Sequence, residues 1–212
     1  MTYTLYYSPG TASMPVHWAL IEIGVPFETV RIDFETGAHR TPAYLALNPM
    51  GRVPTLIVDG VAHVESAALL MLLAERHPQA VLGPAPDDPQ RSKWLETMVF
   101  LANNLSPAMR DWFYADKDGS PDGAPAVRDL ARRRIEGVWR RLAGDLADGR
   151  DFLFGAKAGA ADFLAAAPMR WSRTMAQPAN DHPVLAAYLA RLAALPSYAE
   201  LCRREDLAPW PA

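Results

Sequence analysis

Three short stretches of this 212-residue chain combine residue types that can do chemistry. Thr11 and Ser13 place two hydroxyls at the start of an apolar, helix-like run, and Tyr6 and Tyr7 end the strand-like segment before it. A hydroxyl in that place can cap the helix or donate to an anion, and the positive end of the helix dipole favours negative charge there. Glu65-Ser66 opens another helix-like run. Its free amides and the Ser66 hydroxyl suit a carboxylate, although Ser and Glu are also ordinary first-turn residues. Between the two, Val53-Pro54 leads from a loop into a strand, where a proline breaks no ladder bond. Cys202 is the single cysteine, which excludes an intramolecular disulfide and any multi-cysteine metal site. That usage fits a reducing compartment, a cytoplasmic protein and no bound metal.

The elements that must position these residues follow from periodicity and turn signals. Thr2–Tyr7 is rich in β-branched and aromatic residues and stops at Ser8-Pro9-Gly10. Ser13–Ile23 carries a helical apolar stripe and ends at Gly24, a natural C-cap. Phe27–Arg31 reads as a strand, Pro42–Leu47 as a short helix, and Thr55–Val58 with Ala62–Val64 as a hairpin about Asp59-Gly60. Glu65–Arg76 is a helix former throughout. The order βαβ, α, ββ, α predicts an α/β unit with a mixed sheet over residues 1–77. His77–Pro89 holds four prolines, so 78–89 reads as a linker. An all-helical region over 90–212 follows: a long helix Gln90–Tyr114 interrupted near Ser106-Pro107, then Val127–Leu146, Ala160–Trp171, Pro183–Leu195 and Ser197–Cys202.

Composition narrows the partners. Half the residues are hydrophobic, about a fifth are charged and the net charge is −3, so no pull toward nucleic acid or anionic membrane is expected. The longest apolar run, Ala67–Ala74, is too short to span a bilayer, and the chain opens on a strand-like pattern rather than a signal peptide. Arg128, Arg132, Arg133, Arg134, Arg140 and Arg141 alternate with Asp129, Glu136 and Asp145 opposite an apolar stripe that runs from Val127 and Leu130 to Leu146. This reads as a solvated helix face rather than a nucleic-acid patch.

Taken in order, three stretches resemble the glutathione transferase superfamily, closest to its bacterial beta-like and theta-like members. They are Leu5–Ser13 with the helix and Gly24-Val25-Pro26-Phe27-Glu28 after it, Tyr44–Leu56 containing Asn48-Pro49-Met50-Gly51-Arg52-Val53-Pro54, and Val64–Leu69. The resemblance implies a thioredoxin-like N-terminal domain (βαβ-α-ββα) that binds glutathione and an all-α C-terminal domain that carries a second substrate. It implies a cis Val53–Pro54 bond, with the backbone of Val53 pairing with glutathione as a short added strand. Ser66 and Glu65 would hold the γ-glutamyl end, with His39 and Arg52 near the glycyl carboxylate. The implied activity is conjugation of the glutathione thiolate to small, mostly apolar electrophiles, as in detoxification, by a homodimer whose interface involves Leu69–Arg76 and Arg91–Asn104. A peroxidase or isomerase on the same fold, or a non-catalytic binding or regulatory protein, are the competing readings. The zeta-like isomerases carry a Ser-Ser-Cys stretch that this chain lacks.

An enzyme of this kind must hold the peptide's thiol as a thiolate. Lowering a thiol pKa by about two units takes roughly 2.7 kcal/mol, and one charge-assisted hydrogen bond supplies roughly 1.5–3 kcal/mol. One well-placed hydroxyl is sufficient. Ser13 is the first choice, followed by Thr11 and then Tyr6 or Tyr7. The place of the beta-like reactive cysteine is taken by Ala12, and that of its partner histidine by Ser106, which excludes a protein mixed disulfide at this position. A second-substrate pocket is expected from Asn103, Ser106, Pro107, Arg110, Phe113 and Tyr114. Where the family carries a Ser or Thr cap three residues before a structural Asp, this chain has Gly159 before Asp162.

Overall fold

The structure, a computed structural model, describes residues 2–208 and 210. Strands β1 (Tyr3–Tyr7), β2 (Glu28–Arg31), β3 (Thr55–Val58) and β4 (Val61–Val64) form one sheet in the order β2-β1-β3-β4. β1 runs parallel to β2 and antiparallel to β3, which is antiparallel to β4. The parallel pair follows from the crossover helix α1 (Met14–Ile23), and the antiparallel pair from the tight turn between β3 and β4. Both residues of that turn have positive φ, Asp59 at 50° and Gly60 at 87°, the twist that a two-residue hairpin needs. α1 ends as expected on Gly24, whose φ of 76° is the left-handed cap that a side chain would resist. The remaining helices of this half are α2 (Pro42–Leu47) and α3 (Ser66–Arg76), so the thioredoxin-like order is present.

After residue 90 the described chain forms helices joined by turns and irregular segments, with one isolated bridge between Phe152 and Gly155. The elements are α4 (Arg91–Phe100), α5 (Ser106–Asp118), α6 (Ala124–Asp145), α7 (Ala160–Trp171), α8 (Pro183–Ala193) and α9 (Pro196–Glu205). The expected interruption of the long helix is a π-helical stretch, Leu101–Leu105, between α4 and α5. Pro107 offers no N–H to the carbonyl of Asn103 and would press on it, and a widened turn just upstream relieves both problems.

The two halves share one core. Trp18 of α1 stacks on Phe163 of α7, with ring centroids 4.6 Å apart, and its indole N–H donates to Ser197 at 2.9 Å. Burying a ring of that size contributes about 5 kcal/mol of transfer free energy. Along α6, Ala131, Ile135, Val138, Trp139 and Leu142 are buried, and Leu146 just beyond it is too. Val127 and Leu130 depart from that stripe: they are 39% and 42% exposed, because α5 covers the first turns of the helix only on the side of Ala124 and Arg128. Its arginines are paired, Arg132 with Asp129 and Glu136, Arg133 with Asp129, Arg141 with Glu96. No described helix is long and apolar enough to cross a membrane.

α7 starts where expected, with Gly159 as N-cap and the Asp162 carboxylate accepting the Gly159 N–H at 2.8 Å. The reciprocal half of a capping box is missing because glycine has no side chain. A Cβ on Gly159 would stand 2.5 Å from the carbonyl oxygen of Leu82, which itself accepts the Ala160 N–H at 2.7 Å. Glycine is required there by the approach of the 81–90 segment.

Candidate active site

The turn before α1 is built on Ser8. Its carbonyl accepts the Thr11 hydroxyl at 2.7 Å and the Ser13 hydroxyl at 3.1 Å, and its N–H donates to Ser13 Oγ at 3.2 Å. The two hydroxyls also touch each other at 3.0 Å. Ser13 is 0% exposed and makes no side-chain cap bond to α1. Closing the Ser8–Ser13 turn directs its hydroxyl inward, where it braces the loop. Thr11 is partly exposed, and Ala12 is exposed. The backbone N–H groups of Ala12 and Ser13 have no hydrogen-bond partner among the described residues, as the first amides of a helix need none within it.

Two long-range bonds hold this turn. The Gly10 N–H donates to Glu205 Oε2 at 2.7 Å, and the Gly10 carbonyl accepts the Trp171 indole N–H at 2.7 Å. Glu205 is 2% exposed, and its other oxygen accepts from His17 Nδ1 at 2.7 Å. The carboxylate can only accept, so Nδ1 carries the proton of that bond. The His17 ring meets Tyr7 and Phe27 edge-on. Tyr7 therefore packs toward the core, while Tyr6 packs on the other side of the sheet against Tyr44 and beside Val53.

The start of α3 lies against the start of α1, since the Ser66 hydroxyl donates to the Ala12 carbonyl at 2.8 Å. Glu65 precedes α3 with φ 71° and ψ 105°, a strained conformation for a side-chain-bearing residue, and it is exposed. Such strain costs about 1–3 kcal/mol and collects at functional sites. The first helical bond runs from the Leu69 N–H to the Glu65 carbonyl, which leaves the initial amides of α3 open. Val53 stands beside this helix start, two residues before Thr55, which pairs with Val64. The Val53–Pro54 bond is cis. Neither backbone group of Val53 has a partner among the described residues, so the chain offers a short free edge there.

A buried brace that the sequence reading missed fixes the approach to that edge. The Arg52 carbonyl accepts the Tyr44 hydroxyl at 2.6 Å and Asn48 Nδ2 at 2.7 Å, and both side chains also reach Thr55 Oγ1. Burial raises the Tyr44 pKa above the usual tyrosine value, which keeps it a donor. Gly51, with φ 59°, lets this loop meet the turn carrying His39, whose carbonyl would stand 2.8 Å from a Cβ at Gly51. His39 and the exposed Arg52 are thereby neighbours in space, and the His39 ring packs tilted against Phe34, centroids 4.6 Å apart.

The six residues expected to form a second-substrate pocket separate into two groups. Asn103 and Pro107 line a cavity of about 570 Å³ that is closed by Arg134, Val138 and Arg141 of α6. Ser106, Arg110, Phe113 and Tyr114 lie outside its lining. Arg110 is paired with Asp118 and lies over the Tyr114 ring, and Phe113 and Tyr114 are exposed. Helical spacing turns Ser106 and Phe113 away from the face of Pro107, whereas Arg110 and Tyr114 follow Pro107 on that face but lie further along α5, beyond the cavity.

A thioredoxin-like sheet with a cis-proline edge, two helix starts in contact beside it and a helical region sharing its core defines the class of protein. Residues 1–75 match the family model described as glutathione S-transferase, N-terminal domain. A glutathione S-transferase of a sphingomonad, solved in complex with glutathione, is 30% identical, superposes with a TM-score of 0.83, and covers 97% of this chain and 100% of its own. Glutathione S-transferase GST-4.5 of Xanthomonas campestris pv. campestris is 28% identical over 194 residues, 90% of this chain and 92% of the relative. A maleylacetoacetate isomerase of Pseudomonas aeruginosa is 45% identical over 83 residues, 38% of each chain. The chain belongs to the glutathione S-transferase family, and it is an enzyme of that family.

Proposed function

We propose that this enzyme binds glutathione across the starts of α1 and α3 and transfers its thiolate to small, mostly apolar electrophiles. The observation that carries the reading is the unpaired backbone of Val53 beside the open amides of α3, which leaves donors and an acceptor free to pair with a peptide. Glutathione pairs with Val53 at the cis Pro54 edge. Its γ-glutamyl carboxylate takes the α3 amides and the Ser66 hydroxyl, which leaves the Ala12 carbonyl to do so, while Glu65 faces the ligand's amine. His39 and Arg52 sit on the side suited to the glycyl carboxylate.

The thiol then lies over Ala12, where a small side chain leaves room for it. Thr11 rotates its hydroxyl from the Ser8 carbonyl to the thiolate, Ser13 turns its proton onto Thr11 Oγ1, and the Ala12 and Ser13 amides add to the anionic site. A donor that itself accepts a hydrogen bond is the stronger for it. The electrophile meets the thiolate along the exposed face of α5, with Ser106, Arg110, Phe113 and Tyr114, and Asn103 and Pro107 border the cavity behind.

Residues 1–77 serve as the glutathione domain, 78–89 as the linker and 90–212 as the substrate domain of a cytoplasmic, detoxifying homodimer. Exposed apolar residues on β4 and α4, Val61, Leu95 and Val99, support the dimer. Titration calorimetry with glutathione, followed by rates against a panel of electrophiles and peroxides, tests this function. Turnover of electrophiles supports it; binding without turnover would favour a regulatory protein, and turnover of peroxides alone would favour a peroxidase.

A further inference from the structure

The two bonds to Gly10 come from far outside the glutathione half. Trp171 ends α7 and Glu205 ends α9, and between them they take both polar groups of the residue that precedes Thr11. The Gly10 carbonyl and the Thr11 N–H belong to one rigid peptide plane. Gripping that carbonyl sets the plane, and the plane sets where the Thr11 hydroxyl and the amides after it point. Gly10 is the soft joint of the turn, with φ at 66° and no side chain to limit its swing. Ser8 holds Thr11 from within the turn, and the two contacts fix the Gly10 peptide from outside it.

We propose that Trp171 and Glu205 are positioning residues for thiol activation, holding the Gly10 peptide so that Thr11 and the Ala12 and Ser13 amides converge on the sulfur. His17 completes the device by anchoring the second oxygen of Glu205, which leaves the first with one direction in which to accept. The helical half therefore does more than carry the electrophile: it sets the acidity of a thiol bound by the other half. This rests on the thiol site proposed above.

The test uses the full-length protein with glutathione alone and then with a reactive electrophile. Trp171→Phe keeps the ring and removes the donor; Glu205→Gln keeps the shape and removes the charge. Both variants are titrated by thiolate absorbance of bound glutathione, and kcat, KM and the unfolding midpoint are measured beside the wild type. The expected result is a thiol midpoint raised by about one unit in Trp171→Phe, with kcat at pH 7 down about threefold, KM for glutathione within twofold, and recovery of kcat above pH 8.5. In a Thr11→Val background the same substitution should add little, because the group it aims is gone. An unchanged midpoint in both folded variants, or a loss of kcat that high pH does not restore, would overturn the positioning role. Should Glu205→Gln fail to fold, Trp171→Phe decides alone. A wild-type protein whose bound thiol titrates like free glutathione would instead sink the thiol site itself, and the two failures are distinct.

Discussion

Replacing Thr11 with valine tests the thiol chemistry most directly, because it removes one hydroxyl and keeps the branched shape. Of the two hydroxyls tied to Ser8, that of Thr11 belongs to a half-buried residue and that of Ser13 to a fully buried one, so Thr11 is the one able to turn outward. A charge-assisted bond to the thiolate is worth roughly 1.5–3 kcal/mol, so its loss raises the thiol pKa by about one to two units. A bound thiol that titrates near 6.5 is about three-quarters ionised at pH 7; after the substitution about a quarter to a thirtieth remains. Turnover at pH 7 should drop by about threefold to twenty-five-fold and approach the wild-type rate near pH 9. Ser13→Ala makes the informative contrast. It strips Ser8 of a partner for its N–H and costs about 1 kcal/mol of stability, while the thiol midpoint moves by about half a unit or less. Thiolate absorbance of bound glutathione, followed against pH in all three proteins, reads both effects. A midpoint unchanged in Thr11→Val and raised by a full unit in Ser13→Ala would refute the reasoning and return the donor role to Ser13.

Three further expectations concern the rest of the molecule. Burial raises the Asp162 pKa to about 6 despite hydrogen bonds from Leu153, Gly159 and Tyr188, so the folded protein holds a proton that the unfolded chain releases above pH 4. Stability from this group is full below about pH 4 and is lost as pH rises through about 6, a change of about 3 kcal/mol that urea unfolding should show in the wild type and not in Asp162→Asn. Gly159→Ser supplies a better cap, worth about a few tenths of a kcal/mol, but forces a Cβ into the Leu82 carbonyl, so the unfolding midpoint should fall; a rise would show that the 81–90 segment yields easily. Val61→Lys with Val99→Lys should convert a dimer into monomers in sedimentation at micromolar concentration, and a wild type already monomeric there would remove the homodimer from the proposal.

Much of this fold was legible in the chain because the signals were local. Gly24 closes α1, Asp59-Gly60 turns the hairpin, and α2, β3 and α7 have the bounds that periodicity and turn residues predict. Each depends on backbone preferences within a few residues of itself. The stretches that carry the candidate site were legible too: the cis bond falls at Val53–Pro54, and the starts of α3 and α1 meet through Ser66 and Ala12. The direction of a hydroxyl was not. Ser13 turns inward because the loop from Ser8 closes on it, and that loop is gripped by Trp171 and Glu205, whose sequence neighbours carry no sign of such a partner. Gly159 likewise reads as a lost cap until Leu82 is seen beside it, and Val127 and Leu130 read as core until α5 proves to cover another side of the first turns of α6. Periodicity tells which face of an element is apolar; only packing between distant segments decides what covers that face and which way a polar atom upon it must point.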